Sequence, residues 1–252
     1  MKTNNNYITI VQNLNFNLYS GRVLGLVGES GSGKTITSMA ILQLLDKKTT
    51  TIFGSVTLQG RELNGLGEKE MRKIRGKDIA FIMQNPMNAF TPVFTIGHQL
   101  IETIRSHTQL SKKQARELAI EALQQLNLPN PANLLKMYPF QLSGGMLQRV
   151  MIATAACLHP AVIIADELTT ALDVNNQKKV LHHLEHIRAE YGSAILLISH
   201  DLGVISEMAD EVVVMQKGKI VEHADVIQLF NEPKSDYTKR LLNARTIFHL
   251  HE

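Results

Sequence analysis

Val23-Leu24-Gly25-Leu26-Val27-Gly28-Glu29-Ser30-Gly31-Ser32-Gly33-Lys34-Thr35 is the stretch that decides the fold. It opens as a short apolar run, which reads as a buried strand. It then enters a loop with glycine at 28, 31 and 33. Residues 35–45 follow with Ile36, Met39, Ala40, Leu44 and Leu45 close to helical spacing, which predicts a helix. Strand, glycine loop and helix form the unit expected around a phosphate. Gly28 to Thr35 fits G-x-x-x-x-G-K-[ST] at every fixed position. Glycines let the backbone curl so that several N–H groups point at one anion. A helix starting at Lys34 aims its positive end at the same place. Lys34 adds a mobile charge for the outer phosphates, and the Thr35 hydroxyl is a ligand suited to Mg²⁺.

Working outward, other short apolar runs mark further strands, at 55–58, 79–83, 161–165, 194–198 and 211–215. Lys217-Gly218 reads as a hairpin turn into 219–221, which gives an antiparallel β part. Residues 95–157 carry mostly helical periodicity. Within them Ser111 is a candidate N-cap for a helix to about Leu126, stopped by Pro129 and Pro131. Residues 176–189 read as a further helix. The pattern predicts an α/β core with a mostly parallel sheet, interrupted by a helical lobe at 91–158. No internal repeat is present.

Ala161-Val162-Ile163-Ile164-Ala165-Asp166-Glu167 is an apolar strand closed by two acids. Neighbouring strand residues point to opposite faces, so the two carboxylates suit different tasks. Asp166 is placed to hold Mg²⁺ and Glu167 to polarise an attacking water as general base. A second apolar strand, 194–198, leads into Ser199-His200, and His200 is a candidate contact for the terminal phosphate. Taken alone, acids or a histidine after a strand are ordinary surface residues; the phosphate loop upstream is what gives them chemistry.

Composition bounds the rest. The 252 residues are 44% apolar and 19% charged, with a net charge of +3. That charge gives no basic stripe and no reason to expect nucleic acid. The single cysteine, Cys157, excludes an internal disulfide. The apolar runs are far shorter than the roughly 20 residues of a spanning helix. Residues 1–6 are polar and lack the apolar stretch of a secretory signal. A cytosolic protein is expected.

Leu142-Ser143-Gly144-Gly145-Met146, followed by Leu147-Gln148-Arg149 and standing some twenty residues before the acidic strand, resembles the L-S-G-G-Q signature of the ATP-binding-cassette (ABC) ATPases. The resemblance runs from about Leu14 to Leu242. It implies a P-loop NTPase core of ABC type over 1–252, with 1–90 and 159–252 as the nucleotide-binding core and 91–158 as the helical subdomain. It implies ATP and Mg²⁺, with Gly28, Glu29, Ser30, Gly31, Ser32, Gly33, Lys34 and Thr35 around the phosphates. Thr35, Gln84 and Asp166 would serve the Mg²⁺. Glu167, His200 and Gln84 would be the catalytic set, Gln84 as the glutamine of the Q-loop and His200 as the switch histidine. Thr170-Ala171-Leu172-Asp173 resembles the D-loop. In this family two subunits stack head to tail, so Ser143, Gly144 and Gly145 are expected to bind the partner's ATP.

The same resemblance implies the partners: a second ABC ATPase, a sister chain in this branch, two membrane permeases, and indirectly an extracytoplasmic binding protein. The chain would sit peripherally on the cytoplasmic face of the membrane, touching the permease through Asn85 to Thr95. A soluble, non-transport ABC ATPase is the contrasting class. Those relatives carry a long coiled coil or two ATPase units, whereas this chain shows no sustained heptads and one phosphate loop. Three features depart from the common pattern: Met146 for Gln, which is usual in the peptide and nickel importer branch, Leu168 for Pro after the catalytic Glu, and a short N-terminal strand that leaves Tyr7 as the candidate to stack on adenine. Tyr138 to Met146 and Tyr237 to Leu242 resemble the peptide and nickel importer branch. Met83-Gln84-Asn85-Pro86, the run at 146–149 and a short tail after Leu242 point to nickel, or a related metal chelate, ahead of oligopeptide or dipeptide. His182 and His186 share a helix face, and a solvated surface is the better reading of that pair than a metal site.

Overall fold

In the computed structural model, residues 2–3, 6–169 and 174–248 are described. The chain divides into two compact units, Met1–Arg72 with Ile195–Glu252, and Lys73–Ala194.

The first unit is built on the strand Val23–Val27, every residue of which is buried. It pairs in parallel with Ala194–Ile198 on one side and Glu211–Gln216 on the other. A strand buried on both faces needs apolar side chains at each position, which is why these runs show no alternation. Gly25 has a packing reason: a Cβ there would meet Ile205 at 3.1 Å and Ala209 at 3.3 Å. Glu211–Gln216 turns through Lys217 and Gly218, both left-handed at φ 47° and 76°, and returns antiparallel as Lys219–Asp225. Two left-handed residues in succession suit a tight hairpin.

The phosphate-loop helix is shorter than its periodicity suggests. It spans Lys34–Ile41, because Leu42 closes it and Gln43 turns left-handed at φ 50°. The expected strand at 55–58 is reduced to Thr57–Leu58, paired antiparallel with Arg61–Glu62.

The second unit pairs Ile79–Ile82 in parallel with Val162–Asp166. Between them, residues 91–158 form helices joined by turns and loops, with no strand. Thr95 caps Ile96–His107 and Ser111 caps Lys112–Gln125, the latter in a reciprocal box with Gln114. Ile96, Leu100, Ile104, Ala115, Ala119 and Leu123 of these helices are buried. Ser143 caps Gly144–Ala156, accepting from the Met146 N–H at 3.3 Å. The helix Val174–Tyr191 follows the acidic strand and exceeds the 176–189 of the sequence pattern by two residues at each end.

Candidate functional site

The first unit carries the phosphate loop, and its glycines answer to measurable contacts. Gly28 has φ 152°, and a Cβ there would lie 2.2 Å from the Met215 carbonyl oxygen. Gly33, the N-cap of Lys34–Ile41, has φ 109°, and a Cβ would lie 2.8 Å from Val11. No side chain caps this helix and no acid sits in its first turn. A helix start without a capping side chain or an acid suits an anion. Lys34 is only 5% exposed. Its Nζ donates to the Gly28 carbonyl at 2.7 Å and the Glu29 carbonyl at 3.1 Å, so the charge lies inside the curl of the loop. The Ser32 hydroxyl is buried with no hydrogen-bond partner among the described residues, a group that a phosphate oxygen would satisfy. Glu29, Ser30, Gly31 and Thr35 are exposed.

His200 belongs to the same unit. The strands Val23–Val27 and Ala194–Ile198 are parallel, with Leu26 opposite Ile198, so Gly28 and His200 follow the same ends of neighbouring strands. Ser199 N–H donates to the Leu26 carbonyl at 3.3 Å. Asp201 N–H donates to Ser199 Oγ at 2.9 Å, and Asp201 Oδ1 caps Leu202–Met208 through the Gly203 N–H at 2.7 Å. His200 is thus an exposed side chain on a turn pinned from both sides.

The second unit gathers the carboxylates. Asp166 is the last residue of its strand and is buried. Glu167 lies beyond the strand, in the left-handed region at φ 48°. This corrects the sequence expectation: the two acids differ through a left-handed turn after the strand, and not through strand alternation. A non-glycine residue is strained there and persists when its surroundings hold it. Gln84 follows the partner strand Ile79–Ile82 and donates from Nε2 to Glu167 Oε2 at 3.0 Å. On the other side, buried Gln148 donates from Nε2 to the Leu168 carbonyl. Leu168 itself is 2% exposed, so the residue that replaces proline is packed in the core. Sequence reasoning missed the role of Gln148. The available signal was a polar residue between Leu147 and Val150 on a helix face that is otherwise apolar.

The signature behaves differently from the phosphate loop. Ser143 and Gly144 are exposed and Gly145 half-exposed. A Cβ at Gly144 or Gly145 would meet nothing within 4 Å, and neither residue has positive φ.

Thr35 and Asp166 offer hard oxygen donors, which fit Mg²⁺. Among the described residues no group of three His, Cys, Asp or Glu is placed to hold a metal ion. His186 pairs with Glu190 at 3.0 Å, while burial, and then the charges of Arg149, His182 and His186, push the His183 imidazole below its ordinary value. Cys157 is buried, which raises its thiol to about 12 and leaves it unreactive. Thr170 to Asp173 and the side chain of Tyr7 lie outside the described residues.

Comparison with known families places this geometry. The family model described as ABC transporter matches residues 11–170. The chain belongs to the ABC transporter family. As an ABC ATP-binding subunit it is 44% identical over 232 residues to a probable peptide ABC transporter ATP-binding protein of Sinorhizobium fredii, covering 92% of this chain and 69% of that one. It is 44% identical to the oligopeptide transport ATP-binding protein AppD of Bacillus subtilis, covering 94% and 73%. It is also 44% identical to the glutathione import ATP-binding protein GsiA of Escherichia coli, covering 94% and 39%. Among solved structures, the dimeric post-hydrolysis state of an ATP-binding cassette bound to ADP and Pi superposes with a TM-score of 0.79 at 27% identity, covering 90% of this chain and 94% of that one. The ABC ATPase fold, with a mostly parallel sheet, antiparallel strands and helical parts, is the one expected. Among the described residues no helix is long and apolar enough to cross a membrane.

Proposed function

We propose that the chain is the ATP-hydrolysing subunit of an ABC importer whose cargo is a peptide, oligopeptides and glutathione-like tripeptides included. The observation that supports this is the set of peptide- and glutathione-transport relatives, matched over 92–94% of the chain at 44% identity. Nickel is set aside. These relatives carry peptide- and glutathione-transport names, and where a chain stops carries no information on cargo.

The division of labour is read from the residues. Gly28 to Thr35 wrap the phosphates with backbone N–H groups and the Lys34 charge. Thr35, Asp166 and Gln84 hold Mg²⁺, which when bound neutralises charge on the outer phosphates. Glu167 takes a proton from water as its oxygen attacks the γ-phosphorus and the bond to ADP breaks. The Gln84 amide, 3.0 Å from the carboxylate, orients it. His200 contacts the γ-phosphate. The domain is single, with 91–158 as the helical signature subdomain. Ser143, Gly144 and Gly145 serve the ATP of a second ABC ATPase, a sister chain stacked head to tail. Glycines in the first turn of a helix lower its stability by up to about 1 kcal/mol each relative to Ala. Among the described residues nothing lies within 4 Å of where a Cβ would go, which supports ascribing the requirement to a partner.

The permease pair docks along Asn85 to Thr95, on the cytoplasmic face of the membrane, with an extracytoplasmic binding protein delivering cargo. Asn85 caps the turn Pro86–Ala89, and Met87, Val93 and Phe94 are exposed apolar side chains, Val93 at 71%. Exposed apolar groups of this size suit a protein interface.

The test is uptake in cells lacking the chain, restored with wild type or Glu167→Gln. Labelled oligopeptide or glutathione uptake is expected to return with wild type alone. Purified Glu167→Gln is expected to bind ATP normally while turnover falls about 10²–10⁴-fold. Loss of nickel uptake with peptide uptake intact would overturn the cargo, and normal turnover by Glu167→Gln would overturn its role.

A further inference from the structure

We infer that Tyr237, at the start of the C-terminal helix, is a positioning residue for nucleotide binding, because its hydroxyl holds one peptide group of the phosphate loop. The inference rests on the reading that Gly28 to Thr35 bind ATP.

The peptide group between Gly28 and Glu29 is gripped at both ends. Its carbonyl accepts from Lys34 Nζ at 2.7 Å, and its N–H donates to Tyr237 Oη at 3.0 Å. A peptide unit is planar, so fixing its N–H fixes the direction of its carbonyl. Tyr237 therefore sets the direction of the oxygen against which the Lys34 ammonium rests. It also withdraws the Glu29 N–H from the donors available to phosphate. Among the described residues the hydrogen bond of the phenol is to loop backbone, which makes it a positioning group and not a catalytic one.

Tyr237 is itself held. Its ring is buried, with the residue 5% exposed. Its N–H donates to Ser235 Oγ at 3.2 Å. Just upstream, the buried Glu222 carboxylate on the strand Lys219–Asp225 accepts from the N–H groups of Lys234 at 2.8 Å and Ser235 at 3.0 Å. Burial alone would raise the Glu222 carboxyl. The Lys234 and Ser235 N–H groups and the Lys234 charge hold it below the usual carboxylate range, so at neutral pH it grips these donors as an anion. The order of action is Glu222 to the turn at 234–238, to Tyr237, to the Gly28–Glu29 peptide, to Lys34. Every member lies in the first unit.

Tyr237→Phe keeps the ring and removes the acceptor, leaving a partly buried N–H without a partner. A role confined to packing would leave nucleotide affinity unchanged. Mg-ATP affinity and turnover at saturating ATP are measured on the full chain for wild type, Tyr237→Phe and Lys34→Ala. Tyr237→Phe is expected to weaken ATP about fivefold or more, with kcat within twofold of wild type. Affinity within twofold of wild type, or a fall in kcat with affinity unchanged, overturns the inference. Lys34→Ala separates the two levels: if it binds ATP as wild type does, the loop assignment itself fails. Should Tyr237→Phe not fold, amide hydrogen exchange of wild type without nucleotide decides. A protected Glu29 amide supports the inference, and exchange at the rate of an unstructured amide overturns it.

Discussion

The glycines of the phosphate loop and those of the signature look alike in sequence and differ in what they answer to. Gly28 and Gly33 are fixed by their own chain: positive φ and close contact with Met215 and Val11 forbid a side chain. Gly144 and Gly145 have ordinary φ and open space where a Cβ would go. The first pair builds a site that the chain completes with its own Lys34. The second lies at the surface, where nothing among the described residues would meet a side chain. A motif thus carries two kinds of information, and only the structure separates the glycine needed for folding from the glycine needed for contact.

Paired substitutions break that comparison most sharply. Gly28→Ala places a methyl 2.2 Å from the Met215 carbonyl, in a conformation that L-residues avoid. Overpacking and strain together are expected to cost about 3 kcal/mol or more, with ATP binding lost. Gly144→Ala is expected to leave stability unchanged or raise it by up to about 1 kcal/mol, while turnover falls. Thermal melts beside ATPase assays on both variants decide this. A Gly144→Ala variant that melts early would show that the signature glycine is a folding requirement after all.

A smaller effect is expected where the signature helix meets the carboxylates. Gln148 lies on the helix that begins at the signature, yet its amide holds the carbonyl of Leu168, next to Glu167. The helix that begins at the signature is therefore tied to the turn that carries this chain's own Glu167. Gln148→Leu leaves a buried carbonyl without its donor, a loss of about 1–3 kcal/mol. Part of it is expected to appear as a fall in kcat of about tenfold, with ATP affinity within twofold. Unchanged kcat with lowered stability would confine Gln148 to packing.

How much of this was legible follows from how local each feature is. The strands at 23–27, 79–82, 162–166, 194–198 and 211–216 show as continuous apolar runs, because a parallel sheet buries both faces. The phosphate loop is eight consecutive residues, and the Ser111 cap depends on residues three apart. The end of the first helix was misjudged, since the left-handed turn at Gln43 leaves no mark in periodicity. Glu167 was placed on the strand for the same reason. The contacts of Gln148 with Leu168 and of Tyr237 with Glu29 span 20 and 208 residues, and no spacing rule reaches them. Tyr237 was visible only as one letter of a branch motif. Under the proposed function cargo leaves no mark, because the groups that would touch it belong to the proposed permeases and binding protein.

The smallest effect expected separates the two units by acid. In the first unit Glu222 is a carboxylate that the folded chain holds below its ordinary 4.5, so the unfolded chain binds its proton more readily. Its contribution is then fully present above about pH 4.5 and is lost as pH falls through the lower folded value. Glu222→Gln keeps the size of the side chain and removes this titration. Between about pH 5 and pH 3 the melting temperature of wild type is expected to fall by a few degrees more than that of Glu222→Gln. Because Glu222 anchors the turn that holds Tyr237, ATP affinity should weaken over the same range in wild type and stay flat, at the weaker level, in the variant. Parallel slopes for the two proteins would mean that the donors at Lys234 and Ser235 do not discriminate the charged from the neutral carboxyl, and that acid reaches the phosphate loop by another route.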